Sequence, residues 1–127
     1  MRITALYAAL LTPLFVLLSA RVIQGRRSNK AAMGDAGDKA LRRRIRVHAN
    51  FTEYVPFALV LIGCAESLQT PSLLVHTLGL ALLTSRVLHS YGMSQERENF
   101  NFRVAGMAMT FATLSTAALT CFVGALL

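Results

Sequence analysis

The sequence predicts an all-α integral membrane protein, a bundle of four transmembrane helices. Three observations point there. The 127 residues are 54% hydrophobic and only 15% charged, with a mean hydropathy of +0.51, where a soluble domain of this length carries more charge. Apolar runs that reach the about 20 residues needed to cross a bilayer recur along the chain. The cations are also clustered: nine of the thirteen Lys and Arg fall between Arg21 and Arg46. A basic segment between two spans is first a topology signal, the excess of positive charge on cytoplasmic loops. The formal charge of +7 is read that way, and nucleic acid is not an expected partner.

The first span is expected over residues 3–22, with a kink at Pro13. Arg2 followed by an apolar run resembles a signal peptide, but the run is long and no A-x-A site precedes the basic segment, so a retained helix is expected. Gln24 to Lys39 holds Gly25, Gly34, Gly37, Asp35 and Asp38 and reads as a turn-rich basic loop. The second span is expected over 46–68. Gln69, Thr70 and Pro71 form a link so short that the third span, 72–91, must return antiparallel beside the second. A compensated connection containing Glu96, Arg97 and Glu98 precedes the fourth span, 103–126. That span is rich in Gly, Ala and Ser, which allow close helix approach in lipid, so it is expected to pack against protein. With the basic loop cytoplasmic, both termini are expected on the non-cytoplasmic side. Cys64 and Cys121 lie inside apolar runs and read as reduced packing residues. No His, Cys, Asp and Glu spacing suggests a metal site.

The stretch from Arg42 to Leu61, RRRIRVHANFTEYVPFALVL, carries the chemistry. On a helix of about 100° per residue, Arg46, Asn50 and Glu53 share one face. Arg42 and Arg43 lie a turn earlier, Tyr54 sits at the edge, and His48 points nearly the opposite way. A carboxylate carried into an apolar helix costs several kcal/mol unless a cation or donors meet it. Arg86 on the third span, followed at i+3 by His89, falls at nearly the depth of Glu53 and is the first candidate partner. Arg103 enters the fourth span on the same side. Arginines, an amide, a carboxylate and a phenol at a membrane surface suit a small polyanionic, zwitterionic ligand.

The pattern R-x-H-x-N-x-x-E-Y-x-P, here Arg46, His48, Asn50, Glu53, Tyr54 and Pro56, resembles the second-helix signature of the MAPEG family, the membrane-associated proteins of eicosanoid and glutathione metabolism. The GDAGDKALRRRIR approach and the S-R-V-L-H-S-Y end of the third span are similar to small bacterial members. The resemblance implies a homotrimer of four-helix protomers in the bacterial inner membrane, with glutathione as co-substrate between neighbouring protomers near the cytoplasmic face. Arg46, Asn50, Glu53 and Tyr54 would hold glutathione, together with Arg42 or Arg43 and with Arg86 and His89 of the third span. The first-span arginine would be Arg26, or its neighbours Arg21 or Arg27. Arg103 would stabilise the thiolate. Catalytic members carry a tyrosine four residues after the position of His89, where this chain has Met93.

Two functions are therefore expected to compete. One is a glutathione transferase or peroxidase acting on lipophilic electrophiles that arrive from the bilayer. The other is a non-catalytic membrane binding or scaffold protein of the same architecture.

Overall fold

The computed structural model describes residues 1–127 and is built of four helices without strands: α1 (Arg2–Ser28), α2 (Lys39–Ser67), α3 (Ser72–Ser94) and α4 (Phe100–Leu126). Each is long and apolar enough to cross a membrane. All four run beyond the expected spans, because the sequences at their polar ends remain good helix formers. KALRRRI at the start of α2 is made mostly of strong formers. Asp38 caps it by accepting from Ala40 N at 2.9 Å. That amide, and then the Asn29 side chain, hold the Asp38 carboxyl below the usual carboxylate range. The cap is therefore fully formed above that range and is lost as pH falls through the lowered value.

The expected loop from Gln24 to Lys39 is correspondingly shorter. Arg26 and Arg27 lie on the last turn of α1, and only residues 29–38 connect the two helices. Helix α1 also continues unbroken through Pro13.

Helices α2 and α3 form the centre of the bundle. Helix α2 packs on all three others, α3 packs on all three others, and α1 and α4 flank the pair without touching each other. The core runs along α2 through Val47, Phe51, Val55, Ala58 and Ile62, and meets Val75, Leu78 and Leu82 of α3. Helix α4 contributes a stripe of small residues, Gly106, Thr110, Thr113 and Ala117, spaced to lie on one face. Its other small residues, among them Ala108, Ala112, Ser115 and Ala118, are exposed.

One polar contact fixes the end of the bundle opposite the arginines. Glu66, near the end of α2, accepts from Ile3 N at 3.0 Å, Thr4 N at 2.9 Å and Thr4 Oγ1 at 2.7 Å. The carboxylate thus satisfies amides in the first turn of α1 that have no partner within their own helix. Glu66→Ala is expected to lower stability by about 2 kcal/mol, the worth of a charged cap. Thermal unfolding in detergent measures this, and an unchanged midpoint would refute the capping role.

Candidate functional site

The polar groups gather at the end of the bundle where α1 finishes, α2 begins, α3 finishes and α4 begins. Arg86 is the centre of the arrangement. It is 1% exposed, the largest fully buried side chain in the molecule. Its Nη1 donates to Asn50 Oδ1 at 2.8 Å, and its Nη2 donates to the Thr110 hydroxyl and to the Gly106 carbonyl at 3.4 Å. Thr110 Oγ1 lies 2.8 Å from the same carbonyl oxygen and 3.1 Å from Ser85 Oγ. The guanidinium carbon sits 5.9 Å from the centre of the Tyr54 ring, within cation–π reach. Tyr54 is held in turn by the edge of Phe111. Every group around the cation is neutral, and its Nε is buried without a partner.

This arrangement corrects one expectation. Arg86 does not meet Glu53: no ion pair joins them, and Glu53 is exposed. The reason is rotation, since depth alone matched. Asn50 lies about 60° around α2 from Glu53 and faces α3. Glu53 instead continues an outward stripe with Arg42, Arg46, Phe57 and Val60, all exposed.

Above Arg86 a cleft of about 320 Å³ opens between the start of α2 and the end of α3, lined by Lys39, Arg42, Arg43, Arg46, Met93 and Glu98. Four of these six side chains are cationic and one is a carboxylate. Glu98 ties the cleft to α4: its Oε2 accepts from Arg103 Nη1 at 2.7 Å, and its Oε1 lies 4.0 Å from Arg43 Nε. Arg103 is thus placed at this end of the bundle, as expected, but in an ion pair. His89 is buried, 3% exposed, against Gly106 of α4. It packs the wall of the site and is not open to the cleft.

The first-span arginines separate. Arg21 is turned toward α3, donating to Ser94 Oγ at 3.0 Å. Arg26 is half-buried with its Nε unpartnered, and Arg27 is exposed. His48 faces α1 as its helical phase requires, with Nε2 3.0 Å from Ser19 Oγ and its ring stacked on Phe15.

Several members were not anticipated: Thr110, Ser85 and the Gly106 carbonyl around Arg86, Glu98 beneath Arg103, and Lys39 at the cleft rim. For Thr110 a signal existed, since Gly106, Thr110, Thr113 and Ala117 recur at i, i+4, i+7 and i+11 on what is the inward face of α4.

A family model, described as the MAPEG family, matches residues 4–123. The chain belongs to the MAPEG family. The inner membrane protein YecN of Escherichia coli K12 is 36% identical over 112 residues, covering 88% of this chain and 84% of the relative. The YecN of a second strain, Escherichia coli O6:H1, matches to the same extent. Four membrane-crossing helices and inner-membrane relatives make this MAPEG protein a multi-pass protein of the bacterial inner membrane.

Proposed function

We propose that this protein binds glutathione at the arginine-lined end of the bundle and uses its thiolate against lipophilic electrophiles, as a transferase or peroxidase. The observation that carries this reading is a cluster of cations without enough anions. Lys39, Arg42, Arg43 and Arg46 face Glu98 in the cleft and Asp35, which pairs with Arg42 from the α1–α2 connection, so the cations still outnumber the carboxylates. Beneath it Arg86 is buried among neutral groups only. Guanidinium forks bind carboxylates in two-point contacts, which suits the two carboxylates of glutathione. Arg86 orients Asn50 through its Oδ1 and leaves the Asn50 amide nitrogen free to donate. Arg103, at the head of α4, is the group to stabilise the thiolate. The thiol proton leaves to solvent. The sulfur lone pair then forms a carbon–sulfur bond as the leaving group departs with its electron pair.

The homotrimer belongs to the same proposal. Glu53 lies on the outward stripe with Phe57 and Val60, both more than half exposed. An ionised carboxylate facing lipid costs about 2.5–3.5 kcal/mol on insertion scales. A neighbouring protomer covering this stripe removes that cost and brings Glu53 to the ammonium of glutathione. The positive-inside bias of these cations supports a cytoplasmic side for this end and the opposite side for both termini. A reporter fused at Leu127 is expected to be active only outside the cytoplasm.

A second reading, a non-catalytic binding protein of the same fold, is favoured by two features. Met93 stands where catalytic relatives are expected to carry a tyrosine, and Arg103 is engaged by Glu98 at 2.7 Å.

Glutathione titration and thiolate absorbance on the detergent-solubilised protein separate these. Asn50→Ala is expected to weaken glutathione about ten- to a hundredfold while the protein stays folded. Arg103→Ala is expected to keep most of the affinity and lose the thiolate signal. Wild-type protein that does not bind glutathione at millimolar concentration would sink the proposal. Binding without a thiolate signal would establish the second reading.

A further inference from the structure

A second charged site lies on the opposite flank of Arg43, between α1 and α3. A polar cleft of about 200 Å³ is bounded by Arg21, Arg43, Arg44, Ser94 and Glu96. Arg21 donates to Ser94 Oγ at 3.0 Å, Arg44 Nη1 to the Arg21 carbonyl at 3.2 Å, and Arg43 Nη2 to the Glu96 carbonyl at 3.2 Å. Neither Arg21 nor Arg44 has a carboxylate within ion-pair distance. The cleft therefore carries three guanidiniums against the Glu96 side chain, with Glu98 4.0 Å from Arg43 alone on its far flank, and the hydrogen bonds of all three go to neutral oxygens.

Directly below, sharing Arg21 and Ser94, runs an apolar groove of about 230 Å³ between Leu14, Leu17 and Leu18 of α1 and Val87 and Tyr91 of α3. Leu17, Val87 and Tyr91 are each at least half exposed on its lips. From Arg21 down to Leu14 is seven residues, about 10 Å along the helix. Tyr91 marks the boundary between the two regions, at the level where interfacial tyrosines sit.

We propose that these two joined clefts form one binding site for an anionic phospholipid of the surrounding bilayer. The phosphate lies among Arg21, Arg43 and Arg44, and an acyl chain lies in the groove between α1 and α3. A soluble anion would use the upper cleft alone, and a neutral lipid would use the groove alone. Only an anionic lipid uses both, in the order in which the membrane presents them. Basic pockets between helices at a membrane face recognise such headgroups, each arginine contributing about 1 kcal/mol near the surface. The site is separate from the proposed glutathione cleft, which lies on the Arg42 and Arg46 side of α2, and shares with it only Arg43.

The test is native mass spectrometry of the full protein released from mixed micelles containing phosphatidylglycerol, phosphatidylcholine or both. Wild-type protein is expected to retain phosphatidylglycerol in clear preference to phosphatidylcholine. Arg21→Gln is expected to lower phosphatidylglycerol retention about fivefold, and the same change with Arg44→Gln to lower it further. Leu17→Trp, which fills the groove and leaves every charge in place, is expected to lower retention as well. This variant decides the matter if loss of the Arg44 bond between α1 and α2 prevents folding. Arg97→Gln removes one charge from the exposed connection at the same end and is expected to change retention less than about twofold. Equal retention of the two lipids would overturn the proposal. So would an equal loss in Arg97→Gln, an unaffected Leu17→Trp, or displacement of the lipid by millimolar inorganic phosphate.

Discussion

Arg86→Met is expected to leave the protein as stable as the parent, or more stable, while reducing glutathione affinity roughly a hundredfold. Both halves follow from the same geometry. Arg86 is 1% exposed and surrounded by Asn50, Thr110, the Gly106 carbonyl and the Tyr54 ring, with no carboxylate among them. A buried ion without a counter-ion keeps its desolvation penalty uncompensated, and replacing buried charge by a packed apolar residue is commonly neutral or stabilising by about 1–4 kcal/mol. Methionine follows the arginine stem as far as the Nε position and adapts to an irregular space. The groups left behind are not stranded: Thr110 keeps the Gly106 carbonyl at 2.8 Å, and half-buried Asn50 is within reach of water. The ligand loses the oriented Asn50 amide and the field of the buried cation. Since both act through one contact, Arg86→Met combined with Asn50→Ala is expected to lose little more affinity than Arg86→Met alone. Thermal unfolding and glutathione titration on the same detergent preparations check both. A methionine variant destabilised by more than about 2 kcal/mol would show that the guanidinium serves the fold and not the ligand.

The same residue shows where sequence reasoning stopped. Four spans were legible because lipid imposes a length and a composition on any crossing helix. Helix ends were not, because nothing apolar marks them: Lys39 to Arg46 continues α2 past the membrane on helix propensity and the Asp38 cap. Depth was legible too, and it brought Arg86 to the level of Glu53. Rotation was not. Asn50 and Glu53 differ by less than one turn in height but by about 60° in direction, and that angle decides which of them faces α3. The Glu66 cap on α1 was out of reach for a similar reason, since it depends on two helix ends meeting across the bundle. The spacing of Thr110 with Gly106, Thr113 and Ala117 was a signal only in part, because α4 has many small residues and composition alone does not say which stripe faces inward.

Gly106 determines how closely that stripe approaches, and Gly106→Ala is expected to lower stability by about 2 kcal/mol or more in spite of alanine's better helix propensity. A methyl group there would lie 2.7 Å from His89 N, His89 Cβ and Ser85 O. Two of those three atoms are the backbone of α3, so no side-chain rotation relieves the overlap and α4 must move outward. Such a shift separates the most extensive helix pair in the bundle. It also withdraws the Gly106 carbonyl and Thr110 from Arg86, so ligand binding should weaken along with stability. Gly124→Ala is the matched control on the same helix, because its nearest neighbours are Leu68 Cβ and Cδ1 at 3.4 Å, an ordinary contact with no backbone atom in the way. That change is expected to gain up to about 1 kcal/mol from helix propensity. Parallel thermal unfolding in one detergent compares the two. Equal midpoints for the alanine variants at 106 and 124 would mean that α3 and α4 are not held together at the Gly106 contact.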